Sequence, residues 1–149
     1  MLNFSPQDQH MIARLLLATF FGGLIGLERE IHGKVAGLRT HALVSLGAAL
    51  VMVVSIDIYE AYRHVSSLDP SRIAAQVVSG IGFLGAGAII RFPRGITGLT
   101  TAASLWVMVA IGLACGGGFI KPALTTTVLV LVVLVAFAQI GRFFHWKDV

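Results

Sequence analysis

The sequence predicts an all-α fold, a membrane bundle of about five transmembrane helices that forms a single domain over residues 1–149. First, charged residues make up only 12% of the chain, about half of the roughly 25% found in soluble domains. Second, four segments contain no Asp, Glu, Lys or Arg: residues 40–56, 73–90, 95–120 and 122–141. Each approaches the roughly 20 residues that cross a bilayer core, where a helix satisfies its own backbone hydrogen bonds.

The predicted helices cover residues 9–27, 40–58, 72–90, 98–115 and 121–141. The first helix contains Arg14 near one end. A long side chain at that position can extend to the lipid headgroups, so this residue does not argue against a membrane helix.

Lysine and arginine residues predict the orientation of the bundle. An odd number of helices places the two termini on opposite sides of the membrane. One side receives Arg29, Lys34, Arg39, Arg91, Arg94, Arg142 and Lys147, and the other receives Arg14, Arg63, Arg72 and Lys121. Because cytoplasmic loops carry the excess of Lys and Arg, we expect the N-terminus outside and the C-terminus in the cytoplasm, with the chain in a bacterial inner membrane.

An internal repeat divides the first four helices into two hairpins. Gly23-x-x-Gly26 in helix 1 matches Gly82-x-x-Gly85 in helix 3, and GLRT at residues 37–40 matches GLTT at residues 98–101. Both copies would run in the same direction, which predicts a pseudo-two-fold axis along the membrane normal. Chance similarity between glycine-rich helices is an equally good interpretation.

Glycines predict where helices pack closely, because small residues let two backbones approach each other in a membrane. The candidate packing positions are Gly22, Gly26, Gly82, Gly85 and Gly87. Helix packing is the favoured interpretation. The alternative is close approach to an ion or to a helix of a partner.

A candidate functional cluster of polar residues is predicted at the cytoplasmic ends of the helices: Glu28, Arg39, Thr40, Thr100 and Thr101. Thr40 and Thr101 are expected to cap the helices that start there. With Arg39 nearby, the two helix starts could hold a small anion, a lipid phosphate or a carboxylate. Glu28 is expected to pair with Arg39 or Arg29, and a cation or proton role is the alternative.

The outer side carries a second group of polar residues. Asp69 is predicted to be the N-cap of helix 3 and Pro70 its first residue. Gln76 is expected to hydrogen-bond another helix. Asp57, Glu60 and Asp69 are weak candidates for a Mg²⁺ site, although a solvated loop is the favoured interpretation. Apart from such a Mg²⁺ ion, no cofactor is expected.

Features of a soluble enzyme or a nucleic-acid-binding protein are not found in the sequence. No nucleophile–base pair is recognisable, the five histidines are dispersed, and no Gly-Lys-Ser/Thr follows the glycine-rich segments. The cations are scattered between apolar runs, which favours lipid contact over nucleic acid. The sequence therefore predicts that the chain is not an enzyme and does not bind nucleic acid.

The sequence resembles the MgtC/SapB family of bacterial inner-membrane proteins over about residues 9–138. The resemblance is carried by GGLIGLERE, GKVAGLRTHALVSLGAAL, DPSRIAAQVVSGIGFLGAGAII and GITGLTTAASLW. It implies five membrane helices, an external N-terminus, and polar motif positions at Glu28, Arg39, Thr40, Asp69, Arg72, Gln76, Thr100 and Thr101. The chain resembles the short, membrane-only branch, which lacks a C-terminal ACT-like domain.

The resemblance implies a role in magnesium homeostasis, in growth at low Mg²⁺ or under acid stress, and in virulence. Two hypotheses follow for the mechanism. The favoured one is a regulator that binds another membrane protein, such as the ATP synthase or a cation-transporting ATPase, through helix–helix contacts. The other is an oligomeric transporter or channel for Mg²⁺ or protons. A homo-oligomer is expected, with a dimer as one candidate, and a sensor of lipid or nucleotide phosphate at the two helix starts is a weaker third hypothesis.

Overall fold

The computed structural model describes residues 5–65, 67–93 and 95–143, and the fold is almost entirely helical. The helices are α1 (Pro6–Ile31), α2 (Leu38–Tyr62), α3 (Ser71–Ala88), α4 (Leu99–Gly116), α5 (Ile120–Val132) and α6 (Ala138–Phe143). A π-helical turn, Val133–Phe137, joins α5 to α6. The five predicted helices are therefore confirmed, the last of them as α5, the π turn and α6 in sequence.

Four of the described helical stretches are long and apolar enough to cross a membrane: α1, α2, α4 and Ile120–Ile140. Helix α3 is outside this group because it carries Arg72, Gln76 and several glycines. Its 18 residues extend about 27 Å as an α-helix, close to the thickness of a hydrocarbon core of about 30 Å. The chain is thus a polytopic helical membrane protein.

Helices α1 and α2 form an antiparallel hairpin that is closed by two glycines. A Cβ atom added at Gly22 would lie 2.7 Å from the carbonyl oxygen of His41, and one added at Gly26 would lie 2.7 Å from Cα of Leu38. No side chain fits at these distances. Gly22 and Gly26 therefore let α1 pack closely against α2, the role predicted for them.

Helix α4 packs in parallel along α2 and forms the centre of the bundle. Gly112 lies against Ser45, and Gly116 lies against Ala49 one turn further along. The buried apolar core gathers around α4, with Met108 and Ile111 facing α1 residues such as Ile25. Because α2 and α4 run in the same direction, the two hairpins α1–α2 and α3–α4 also do, as the internal repeat predicts.

The connection between α3 and α4 is a two-stranded antiparallel β-hairpin that the sequence did not predict. Strand β1 (Ile90–Phe92) pairs with β2 (Gly95–Thr97). Gly98 follows with φ of +88°, and its backbone lies directly against the carbonyl of Ala88. Only a residue without Cβ fits this conformation and this approach, so α4 starts beside the end of α3.

Arg14, which was predicted to extend toward the headgroups, binds the end of another helix. Its Nη1 donates a hydrogen bond to the carbonyl oxygen of Gly116, at 3.2 Å. The last carbonyls of a helix have no partners within the helix and carry its negative dipole end. Arg14 of α1 therefore caps α4 at the end of the bundle opposite the β-hairpin.

Candidate functional site

The end of α1 carries a buried ion pair. Glu28 and Arg29 are only 9% and 3% exposed. Arg29 binds the Glu28 carboxylate through Nε and through Nη2, the latter 2.7 Å from Oε1. Nδ1 of His32 lies 3.0 Å from the same oxygen. Of the two partners predicted for Glu28, the structure has Arg29, while Arg39 is exposed to the surroundings.

The two helix starts are not capped by threonine, contrary to the prediction. Helix α2 has Gly37 as its N-cap, and the N–H of Leu38 donates to Oε2 of Glu30, at 2.7 Å. Helix α4 has Gly98 at the corresponding position. The two helices begin at the leucine of their motifs, Leu38 in GLRT and Leu99 in GLTT. Thr40 therefore already lies in the first turn of α2, with its side chain exposed.

The threonines of the second motif separate into two environments. Thr100 is exposed, whereas Thr101 is 3% exposed. The hydroxyl of Thr101 has no hydrogen-bond partner in the described part of the chain. Of the predicted polar cluster, the structure brings Glu28 and Thr101 to the same end of the bundle but leaves Arg39, Thr40 and Thr100 exposed.

A buried histidine, which the sequence analysis missed, links α2 to α4. Nδ1 of His41 lies 3.0 Å from the carbonyl oxygen of Gly37, and Nε2 lies 2.9 Å from Oγ of Ser104. A carbonyl only accepts, so Nδ1 donates to it. In the neutral ring Nε2 is then an acceptor. The single hydroxyl proton of Ser104 is therefore divided between Nε2 and the carbonyl oxygen of Thr101, which lies 2.8 Å from Oγ. The available signal was a histidine within an uncharged helical segment.

A pocket of about 470 Å³ opens beside this end of the bundle. We call it the cationic pocket. Its polar side is formed by the end of α1 and the start of α4, and its apolar side by the π turn. The residues that line it include Arg29, His32, Lys34, Thr101, Val133 and Phe137.

The three carboxylates of the predicted outer group do not come together in the described part of the chain. Asp57, Glu60 and Asp69 are all exposed, and Glu60 pairs with Arg63 at 3.0 Å. Within residues 5–65, 67–93 and 95–143, no three His, Cys, Asp or Glu side chains come together to hold a metal ion. The favoured interpretation, a solvated loop, agrees with this exposure.

Asp69 holds the start of α3, one residue later than predicted. Pro70 is the N-cap rather than the first helical residue, and the N–H of Ser71 donates to Oδ1 of Asp69 at 2.9 Å. Hydrogen bonds from the side chain and backbone of Ser71 lower the pKa of Asp69 below its ordinary value of 3.8. The predicted capping role of Asp69 is thus retained, but with a shifted helix boundary.

Helix α3 leaves several polar and small residues uncovered. Arg72 and Gln76 are exposed, and Gln76 has no hydrogen bond to another helix among the residues described, contrary to the prediction. A Cβ atom added at Gly85 would lie 3.7 Å from Cβ of Ala102, whereas one added at Gly82 or Gly87 would meet nothing within 4 Å. The face of α3 toward the bundle is occupied by Ile81, Gly85 and Ala88.

These features define a polytopic helical membrane protein with a buried ion pair and a cationic pocket at one end. The chain belongs to the MgtC family, whose family model matches residues 15–143. It is 50% identical over 133 residues to YhiD of Escherichia coli (strain K12), which is described as a candidate magnesium transporter; the match covers 87% of this chain and 61% of that protein. It is 48% identical over 120 residues to protein MgtC of Salmonella typhimurium (strain 14028s), covering 80% of this chain and 49% of that protein.

A protein of Haemophilus influenzae is 42% identical over 149 residues, a match that covers 97% of this chain and 63% of that protein. The chain therefore spans about half to two thirds of the length of these relatives. No solved structure matches the chain.

Proposed function

We propose that this chain is a non-catalytic protein of magnesium homeostasis in a bacterial inner membrane, and that it acts by binding a helix of another membrane protein through α3. The proposal includes an external N-terminus and a cytoplasmic C-terminus, supported by the distribution of Lys and Arg. Membership of the MgtC family and the name of YhiD support the link to magnesium. The mode of action is supported by the surface of α3.

The observation that carries the proposal is one exposed stripe on α3, which we call the α3 stripe. It consists of Arg72, Gln76, Gly80, Phe83 and Gly87, which recur every three or four residues and therefore share one helix face. All five are exposed, and Phe83 is 84% exposed. An unpartnered amide in contact with hydrocarbon is unfavourable, so Gln76 favours contact with protein on this face over contact with lipid.

The glycines of the α3 stripe support a helix as the occupant. A Cβ atom added at Gly80 or Gly87 would meet nothing within 4 Å, whereas one added at Gly22 or Gly26 of α1 would meet the backbone of α2. Glycine within a helix weakens it by about 0.5–1 kcal/mol relative to alanine. Close approach between helices offsets that cost, and no residue that the structure describes makes such an approach at Gly80 or Gly87.

An apolar groove beside the α3 stripe adds to this surface. It has a volume of about 400 Å³ and lies between α2 and α3, with Gly47 on one wall and Gly80 on the other. Neither glycine would bring an added Cβ within 4 Å of another atom. A second helix could therefore lie close to both walls.

The test is a substitution that fills the surface without disturbing the fold. Gly80→Leu should abolish growth at low Mg²⁺ in a strain that depends on this gene, while the protein reaches the membrane in normal amounts. Ala110→Leu, which enlarges an exposed residue on α4, is the matched control and should support growth. If Gly80→Leu supports growth as well as the unsubstituted chain, the proposal is wrong.

Transport of a cation is the second candidate function, favoured by the description of YhiD and by buried Glu28. In the described residues this carboxylate is bound by Arg29, which balances its charge and leaves less attraction for a passing cation. Purified protein in liposomes should therefore move neither Mg²⁺ nor protons. Flux that Glu28→Gln reduces would contradict regulation and favour transport.

A further inference from the structure

The geometry points to a binding site for a phosphate group in the cationic pocket, separate from the α3 stripe. The ligand is a phosphate-bearing molecule with an apolar part, either the headgroup of an anionic phospholipid or a soluble phosphate ester. No part of the proposed helix-docking function depends on this site, because the pocket lies between α1, α4 and the π turn and includes no residue of α3.

The buried guanidinium of Arg29 is the first element of the site. Arg29 is 3% exposed and uses Nε and Nη2 to bind Glu28. Its remaining nitrogen, Nη1, has no protein partner in the described residues. Arg29 lines the pocket, so Nη1 is available to a ligand bound there. A guanidinium fixed on one edge and free on the other is preorganised for an anion.

Thr101 supplies the second element, for the same reason. It is 3% exposed and lines the pocket, and its hydroxyl has no described partner. A ligand in the pocket is the partner that we assign to this hydroxyl. It lies in the first turn of α4, where backbone N–H groups without helical partners favour anions.

Charge distribution decides the class of ligand. Lys34 lies along the same wall as Arg29, and no carboxylate is among the described residues that line the pocket. Glu28 lies behind Arg29 and is bound by it. The Glu28–Arg29 pair has no net charge, so Lys34 leaves this wall with an excess of positive charge. That excess disfavours a cation, whereas an anionic phosphate could contact a guanidinium, an ammonium and the α4 N-terminus together.

The opposite wall explains why the ligand carries an apolar part. Val133, Leu134 and Phe137 of the π turn form this wall. π-Helical turns are rare and occur frequently at functional sites. A small inorganic ion would leave this wall uncovered, whereas an acyl chain or a nucleotide base would pack against it.

The experiment uses the whole chain in nanodiscs and has two arms. In the lipid arm, native mass spectrometry measures retention of phosphatidylglycerol against phosphatidylcholine from mixed nanodiscs. In the soluble arm, equilibrium dialysis against phosphatidylcholine nanodiscs measures binding of ATP and of inorganic phosphate. Selective binding in either arm supports the site and identifies the source of the phosphate, and we expect inorganic phosphate to bind more weakly than the preferred ester.

Matched variants locate the site. Lys34→Gln should weaken binding roughly tenfold, the effect of losing one charge-assisted contact, and Thr101→Val should weaken it several-fold. Lys121→Gln, which removes an equal charge from an exposed residue at the start of α5, should leave the affinity unchanged. Arg29 is not substituted, because Glu28 would then be buried without its partner.

The proposal is overturned if the unsubstituted chain binds selectively in neither arm. It is also overturned if Lys34→Gln and Lys121→Gln weaken binding equally, since that result would mean attraction to the overall positive charge of the protein rather than a site. Elution of the variants as the unsubstituted chain in size-exclusion chromatography verifies that both are folded.

Discussion

The two hairpins run in the same direction and start their second helices with the same Gly-Leu motif, yet the turns between their helices are stabilised by different interactions. In α1–α2 the turn is held by charged groups, the Glu28–Arg29 pair and the Glu30 carboxylate on the N–H of Leu38. In α3–α4 a short β-hairpin makes the turn. The first hairpin is closed within the chain, whereas the second leaves one face of α3 uncovered, which is where we expect a partner.

The largest expected effect comes from breaking the ion pair that the first hairpin has and the second lacks. Arg29→Gln leaves Glu28 buried without its partner, which should lower the free energy of unfolding by roughly 3 kcal/mol or more. Arg91→Gln, in the exposed turn of the second hairpin, should change it by less than about 0.5 kcal/mol. Unfolding in mixed micelles measures both, and equal effects would contradict the contrast between the hairpins.

The matched glycines of the repeat should respond in opposite directions. Gly26→Ala places a methyl group against the backbone of Leu38 and should destabilise the protein by about 2 kcal/mol. In Gly85→Ala the new methyl group lies at an ordinary contact distance of 3.7 Å from Ala102. Because alanine favours the helix more than glycine does, this substitution should stabilise the protein by up to about 1 kcal/mol. Thermal unfolding of the two variants in one detergent tests this, and a loss of stability at Gly85 would show that α3 is packed more tightly than described.

The capping carboxylate of the first hairpin should have a smaller effect. Glu30→Ala removes the acceptor for the N–H of Leu38 and should cost about 1 kcal/mol. Glu60→Ala removes an exposed ion pair with Arg63 and should cost between 0 and about 0.5 kcal/mol. Amide hydrogen exchange at the start of α2 should quicken only in the Glu30 variant, and equal exchange in both would argue against the cap.

The smallest effect concerns the start of the second hairpin and depends on pH. Because Ser71 lowers the pKa of Asp69 below 3.8, the ionised cap stabilises the start of α3 above that pH, and the stabilisation disappears as the pH falls through the lowered pKa. The amide resonance of Ser71 should therefore titrate with a midpoint below pH 3.8. In Asp69→Asn this titration should be absent. A midpoint at or above the ordinary value would contradict the hydrogen bond.

The number and extent of the helices were predictable because uncharged stretches of membrane length have few other structures available to them. The direction of the hairpins also followed from the sequence, since GLRT and GLTT both open a helix. The threonine caps were predicted wrongly. Gly37 and Gly98 end the preceding turns and already hold the N-cap positions, so the threonines lie inside the helices.

Other features depend on contacts that a single sequence does not encode locally. The hydrogen-bond partner of Arg14 is Gly116, more than a hundred residues away along the chain. The five histidines are dispersed in the sequence, and the partner of His41, Ser104, lies 63 residues further along the chain. Gly82 and Gly87 were predicted to be packing positions like Gly22 and Gly26. Only the packing of α3 shows that a Cβ atom added at either would meet nothing within 4 Å among the described residues.

The central claim is that the α3 stripe lies against a helix of another membrane protein. The most direct measurement places a photo-crosslinking amino acid at Phe83, which is 84% exposed, and in a control chain at Trp106, which is 54% exposed on α4. In native membranes the Phe83 position should form an adduct with a different membrane protein, while the Trp106 position should react with lipid. Adducts only with lipid, or only with a second copy of this chain, from the Phe83 position would contradict the claim.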